Sequence, residues 1–224
     1  MATWSLLDTV MVFLVPFGIV LYLDVILGGF GIHNSPGTSL FLTSVQEFVF
    51  IVPVLWWMRE TGNGGIEKMG LRSGQFSAGD VGTGIGIGVG LIFLSAIILA
   101  ITRSIVDSVL GHTHGVTGLD RVIPGLWLYL GAVIAVVLAP IGEEFLFRGF
   151  LFQGLRRRFS FWPAALISGL MFALLHGQAI RIPELTVAGV ILAAVFERRR
   201  TLVAPIAAHM TLNVVAVLLT FALR

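Results

Sequence analysis

Apolar runs long enough to cross a bilayer recur along almost the whole chain. A hydrocarbon core about 30 Å thick is spanned by roughly 17–25 predominantly apolar helical residues. Seven runs approach that length, at about 7–29, 40–58, 81–102, 124–145, 161–177, 183–196 and 201–223. The sixth is short, so six to eight crossings fit the pattern. In lipid a spanning segment must satisfy its own backbone N–H and C=O groups, which favours helices. The predicted fold is therefore all-α, a polytopic transmembrane helix bundle of about seven spans. Residues 1–224 read as a single integral membrane domain. Composition agrees: 57% of residues are hydrophobic and 12% charged, against about 45–50% and about 25% in soluble domains.

The same numbers exclude several function classes. There is no cysteine, so disulfides, zinc fingers and thiol chemistry are ruled out. Net charge is only +2, and the basic residues form short clusters between apolar runs. That suits loops at an anionic bilayer surface better than a nucleic-acid groove. No Lys or Arg precedes the first apolar run and no clear small-residue cleavage site follows it, so the N-terminus reads as a retained span. With the N-terminus inside, nine basic residues fall on the inner side and four on the outer, with Arg148 left within a helix. That asymmetry obeys the positive-inside rule. The run GTGIGIGVG at 82–90 lies inside a span, not in a βαβ unit. Gly82, Gly86 and Gly90 share one helical face, and the expectation is close helix packing rather than cofactor binding.

Charged groups inside spans are costly and ordinarily face an interior cavity or a partner. The stretch APIGEEFLFRGF, residues 139–150, carries Glu143, Glu144 and Arg148. Glu144 and Arg148 stand four apart and can pair on one face. Glu143 is turned about 100° away and addresses another neighbour. The fifth run ends in MFALLHG, which places Phe172 and His176 four apart, and the seventh carries His209 and Asn213 at the same spacing. Counted from the basic clusters at about 1.5 Å per residue, Glu143 and Asn213 lie roughly 20 Å deep, His176 roughly 27 Å and His209 roughly 13 Å. They can meet near mid-membrane. A carboxylate and an imidazole from separate helices can hold and deprotonate a water. A second histidine and an asparagine amide can donate to a developing oxyanion. Glu143, His176 and His209 could instead ligate zinc, and spacing leaves both readings open.

Three short motifs now stand in order. Glu143-Glu144-Phe145-Leu146-Phe147-Arg148 resembles the EExxxR motif of the CAAX prenyl protease and bacteriocin-processing (CPBP) family of intramembrane proteases. Phe172-Ala173-Leu174-Leu175-His176 resembles its FxxxH motif, and His209-Met210-Thr211-Leu212-Asn213 its HxxxN motif. The likeness covers about 139–213, and the first half of the chain matches only in character, with Gly70-Leu71-Arg72 similar to a loop of many relatives. The resemblance implies an intramembrane endopeptidase with a protease-like core over about 124–223. It implies Glu143 and His176 as the water-activating pair and His209 and Asn213 as the oxyanion hole. Glu144 and Arg148 would support the site and Phe172 would pack beside it. It further implies no cofactor, with zinc the less favoured case, and a membrane protein or peptide as substrate, prenylated at a CAAX sequence or a peptide precursor.

Other readings predict different behaviour. A non-catalytic immunity or scaffold protein of the same fold would not need all these residues. A proton-coupled transporter would call for repeat symmetry, and the sequence has no internal repeat. The expected partners are the lipid bilayer and the substrate, with no nucleic acid, in the plasma membrane of a prokaryote. His33, His112 and His114 fall in polar loops and read as solvated. Asp8 and Asp24 read as interfacial. Glu47, inside the second run, has no account from sequence.

Overall fold

The computed structural model describes residues 4–29, 36–62, 65–71, 77–110 and 126–222. The helices are α1 (Leu6–Gly29), α2 (Pro36–Glu60), α3 (Ala78–Leu110), α4 (Leu126–Arg156), α5 (Phe161–Leu175), α6 (Ile182–Arg199) and α7 (Val203–Ala222). Short 3-10 turns stand at Ile66–Met69 and Ala179–Arg181, and no strand occurs among the described residues. The chain is a helical membrane bundle. Phe41–Glu60, Ala78–Val109, Leu126–Arg156 and Ala179–Arg199 are long and apolar enough to cross a bilayer, while Leu6–Pro16, Phe161–Leu175 and Val203–Leu219 are shorter apolar helices. The sixth run, short in the sequence, joins the long class because its helix continues to Arg199. His33, His112, His114, Arg72 and the Asp24 side chain lie outside the described residues.

The fourth run does not stop near 145 as its hydropathy suggests. Its helix continues to Arg156, with π-helical turns at Ile134–Leu138 and Phe145–Phe152. The charges of Glu144 and Arg148 fail to end it because they pair with each other inside the bundle rather than with water. Every residue from Gly142 to Leu155 is buried. α4 is the central post and contacts α1, α2, α5, α6 and α7, while α3 runs along α7 and α5 along α6. Its aromatics knit the interior: Phe150 stacks on Trp4 with centroids 5.1 Å apart, and Phe147 meets Phe172 edge-on at 5.3 Å.

The outside is as apolar as the inside. Phe93, Ile97, Ile101 and Ile105 form an exposed row along α3. In water such a face would drive association, whereas in a bilayer it is the solvated surface. One end of the bundle is polar and tied together. Arg199 pairs with Asp80 at 2.6 Å, Arg156 with Glu197 at 2.9 Å, and Arg157 donates to the Trp4 carbonyl. The Leu202 amide donates to Gly70 O at 3.0 Å, and Gly70 holds φ 91°, a conformation natural to glycine. The two basic clusters, the chain start and the start of α3 therefore share one face. Near that end Ser5 and Asp8 cap α1 reciprocally: Ser5 N–H donates to Asp8 Oδ2 at 2.8 Å and Asp8 N–H to Ser5 Oγ at 3.1 Å.

The glycines of α3 do serve packing, but on a different row from the one expected. Gly82, Gly86 and Gly90 have open space where a Cβ would stand. Gly84 and Gly88 are the buried pair and lie against α7. A Cβ on Gly88 would come within 2.6 Å of both Ala208 O and Thr211 Cβ. Gly88→Ala is therefore expected to lose about 1–3 kcal/mol through overpacking. Gly86→Ala should stay within about 0.5 kcal/mol of the parent. Unfolding of the purified protein in detergent checks both.

Candidate active site

The site is built around a buried ion pair on α4. Arg148 Nη1 lies 2.6 Å from Glu144 Oε1, and both side chains are fully buried. Helical spacing brings them together, and the surrounding helices complete the shell. Arg148 Nη2 donates to Gly189 O on α6 at 3.3 Å. The guanidinium carbon lies 4.6 Å from the centre of the Phe172 ring on α5, a cation–π contact. Glu144 Oε1 also accepts from His209 Nδ1 on α7 at 3.0 Å. One carboxylate oxygen thus joins an arginine and a histidine from different helices.

Phe172 fills the space between the polar groups. Its ring centre lies 4.8 Å from that of His176 and 5.6 Å from that of His209. His176 ends α5 as its C-cap, and Gly177 at φ 65° turns the chain away. Its Nδ1 is 2.8 Å from Phe172 O. A carbonyl only accepts, so Nδ1 carries the hydrogen and Nε2 is left as the acceptor.

Glu143 stands one residue before the ion pair and faces another way. Its Oε2 lies 3.7 Å from His209 Nε2 and has no hydrogen-bond partner. Glu143, His176 and Asn213 border one cavity of about 410 Å³, together with Thr43, Gln46 and Glu47 of α2. His209 is 3% exposed and stands behind Glu143. Asn213 Nδ2 donates to Ala135 O at 2.8 Å, which leaves its second amide hydrogen for the cavity.

The Asn213 contact has a local cause. In the π-helical turn the Ala139 N–H reaches back to Ile134 O. Pro140 has no N–H with which to serve Ala135 O in the same register. That carbonyl is released from the helix, and the α7 amide takes it. Pro140 was visible in the sequence, but its effect on a carbonyl five residues earlier was not. Gly189 and the α2 wall also carried no readable motif.

Glu143, His176 and His209 do not gather as a metal-holding group, since no set of three His, Cys, Asp or Glu side chains does so among the described residues. His209 Nδ1 is already committed to Glu144. The site is thus a buried glutamate–histidine–asparagine constellation opening on a cavity inside a membrane bundle. Residues 125–215 match the model of the family described as Type II CAAX prenyl endopeptidase Rce1-like. A relative from Bacillus subtilis (strain 168), "Putative membrane peptidase YdiL", is 26% identical over 184 residues, covering 80% of this chain and 71% of that protein. An "Uncharacterized 24.3 kDa protein" of Escherichia coli is 34% identical over 96 residues, 41% of this chain and 43% of that protein. No solved structure matches. By family and relative the chain is allied to membrane proteases.

The ion pair makes a sharp stability prediction. Arg148→Ala strands a buried carboxylate and should cost about 3–5 kcal/mol, whereas removing both charges in Glu144→Gln/Arg148→Met should recover most of it. Denaturant unfolding in detergent measures the difference.

Proposed function

We infer that the chain is an intramembrane endopeptidase that hydrolyses peptide bonds with a water activated by Glu143 and His176. One observation carries this reading: Glu143 of α4 and His176 of α5 border the same cavity as the Asn213 amide of α7. The residues are therefore together with room for a peptide segment between them. His176 Nε2 accepts a hydrogen bond from the water and Glu143 takes its proton. The water oxygen attacks the carbonyl carbon, and negative charge builds on the carbonyl oxygen. The free Asn213 N–H receives that charge. As the C–N bond breaks, Glu143 passes its proton to the leaving nitrogen, giving a carboxylic acid and an amine, and the acid then loses its proton to the amine to give a carboxylate and an ammonium.

His209 has a conditional part. With Nδ1–H donating to Glu144, its Nε2 donates to an oxyanion only when the ring carries a second proton. Glu144 and Arg148 hold it in place, and Phe172 packs between both imidazoles. The chemistry runs on protein groups without a cofactor. The substrate is a membrane-associated peptide segment, with CAAX-type prenylated proteins and peptide precursors as the two classes to test. The setting is a prokaryotic plasma membrane, with the polar end of the bundle on the inner side.

Comparison of membrane-protein termini in cells carrying the parent chain or Glu143→Gln tests the reading. The parent should generate termini that vanish with Glu143→Gln while the variant remains folded and inserted. Identical termini would favour a non-catalytic membrane protein of this fold. Asn213→Ala should slow cleavage by about 10²–10³-fold, the usual effect of removing one oxyanion donor.

A further inference from the structure

Part of the cavity wall comes from α2, outside the matched residues 125–215. It presents Thr43, Gln46 and Glu47. This spacing places all three on one helix face. Glu47 is only 4% exposed, and its Oε2 has no hydrogen-bond partner. It presses so closely on α4 that a Cβ on Gly142, the residue before Glu143, would collide with that oxygen.

Structural carboxylates elsewhere in the bundle are paired: Glu144 with Arg148, Glu184 with Arg181 and Glu197 with Arg156. No such cation meets Glu47 among the described residues. Burying a polar group without a partner is expensive, and an apolar side chain of similar size would fill the space at no such cost. Glu47 therefore looks for its partner in whatever enters the cavity. A carboxyl accepts a hydrogen bond in either protonation state and donates one when protonated, so the partner must be a hydrogen-bonding group.

We propose that Glu47 is a specificity-determining residue of the peptidase site, reading a hydrogen-bonding side chain (hydroxyl or amide) beside the scissile bond. This rests on the endopeptidase reading above. A site built to hydrogen-bond its substrate discriminates strongly against analogues that lack the polar group, because its own buried group is then left unpaired. An apolar substrate residue at that position would leave Glu47 unpaired, and α2 thereby supplies a selectivity that the α4, α5 and α7 machinery lacks.

Sequencing the termini produced in membranes by the parent, Glu47→Leu, Glu47→Gln and Glu143→Gln proteins tests the proposal. The parent should favour Ser, Thr, Asn or Gln at one position flanking the cut, by roughly tenfold or more over apolar residues. Glu47→Leu should cut with that preference moved to apolar residues, and Glu47→Gln, which still donates and accepts, should keep a preference for polar residues. An unchanged residue distribution in folded Glu47→Leu overturns the proposal, as does complete loss of cleavage in folded Glu47→Gln, since a selecting group leaves the chemistry in place. Where neither variant folds, the parent profile alone decides: no preference for hydrogen-bonding residues at any flanking position sinks the idea. Termini identical in parent and Glu143→Gln would remove the endopeptidase reading itself.

Discussion

The buried Glu144–Arg148 pair is the contact on which the rest of the site depends. Two charges removed from water survive only when paired and hydrogen-bonded around their edges. α4 supplies the pair from its own helical spacing, and three other helices complete it. Gly189 O binds the guanidinium from α6, Phe172 covers it from α5, and His209 binds the carboxylate from α7. Because the guanidinium and carboxylate have preferred directions, each helix is held in rotation as well as in distance. Apolar packing alone specifies this less sharply, since lipid tails and leucine side chains are equally apolar.

That anchor explains how two neighbouring carboxylates differ in role. Glu144 is spent on Arg148 and His209, while Glu143, a step of about 100° round the helix, is left to face the cavity. The π-helical turns adjust the register between them and the rest of α4. They also release the Ala135 carbonyl to Asn213, because Pro140 has no amide to offer. Such turns are frequent at functional sites, where a helix must present groups it would otherwise keep for itself.

Much of this was legible in the chain. Seven apolar runs became seven helices, and the spacing of Glu144 and Arg148 translated directly into a 2.6 Å contact. Other features were not legible, for definable reasons. The glycine row that packs on α7 is Gly84 and Gly88, not Gly82, Gly86 and Gly90. Where nearly every flanking residue is apolar, periodicity has no contrast with which to tell a protein-facing side from a lipid-facing one. The end of α4 was missed because hydropathy treats a charged residue as a stop, whereas a charge paired inside the bundle continues the helix. Glu47 gave no signal because its neighbours in space come from α4, almost a hundred positions away.

The sequence by itself determined the solvent, the helical class and the short-range pairs, since all three follow from local composition and the helical repeat. It also placed the polar residues of α4, α5 and α7 at comparable depths. Only the tertiary structure decided which of them meet. It set His209 behind Glu143 rather than on the cavity wall, gave Ala135 O to Asn213, and turned α2 so that Glu47 lines the cavity and packs against Gly142. Those outcomes depend on how each helix is rotated about its own axis. In a chain apolar on every face, that rotation is fixed by a few buried polar contacts between helices, which no single helix encodes.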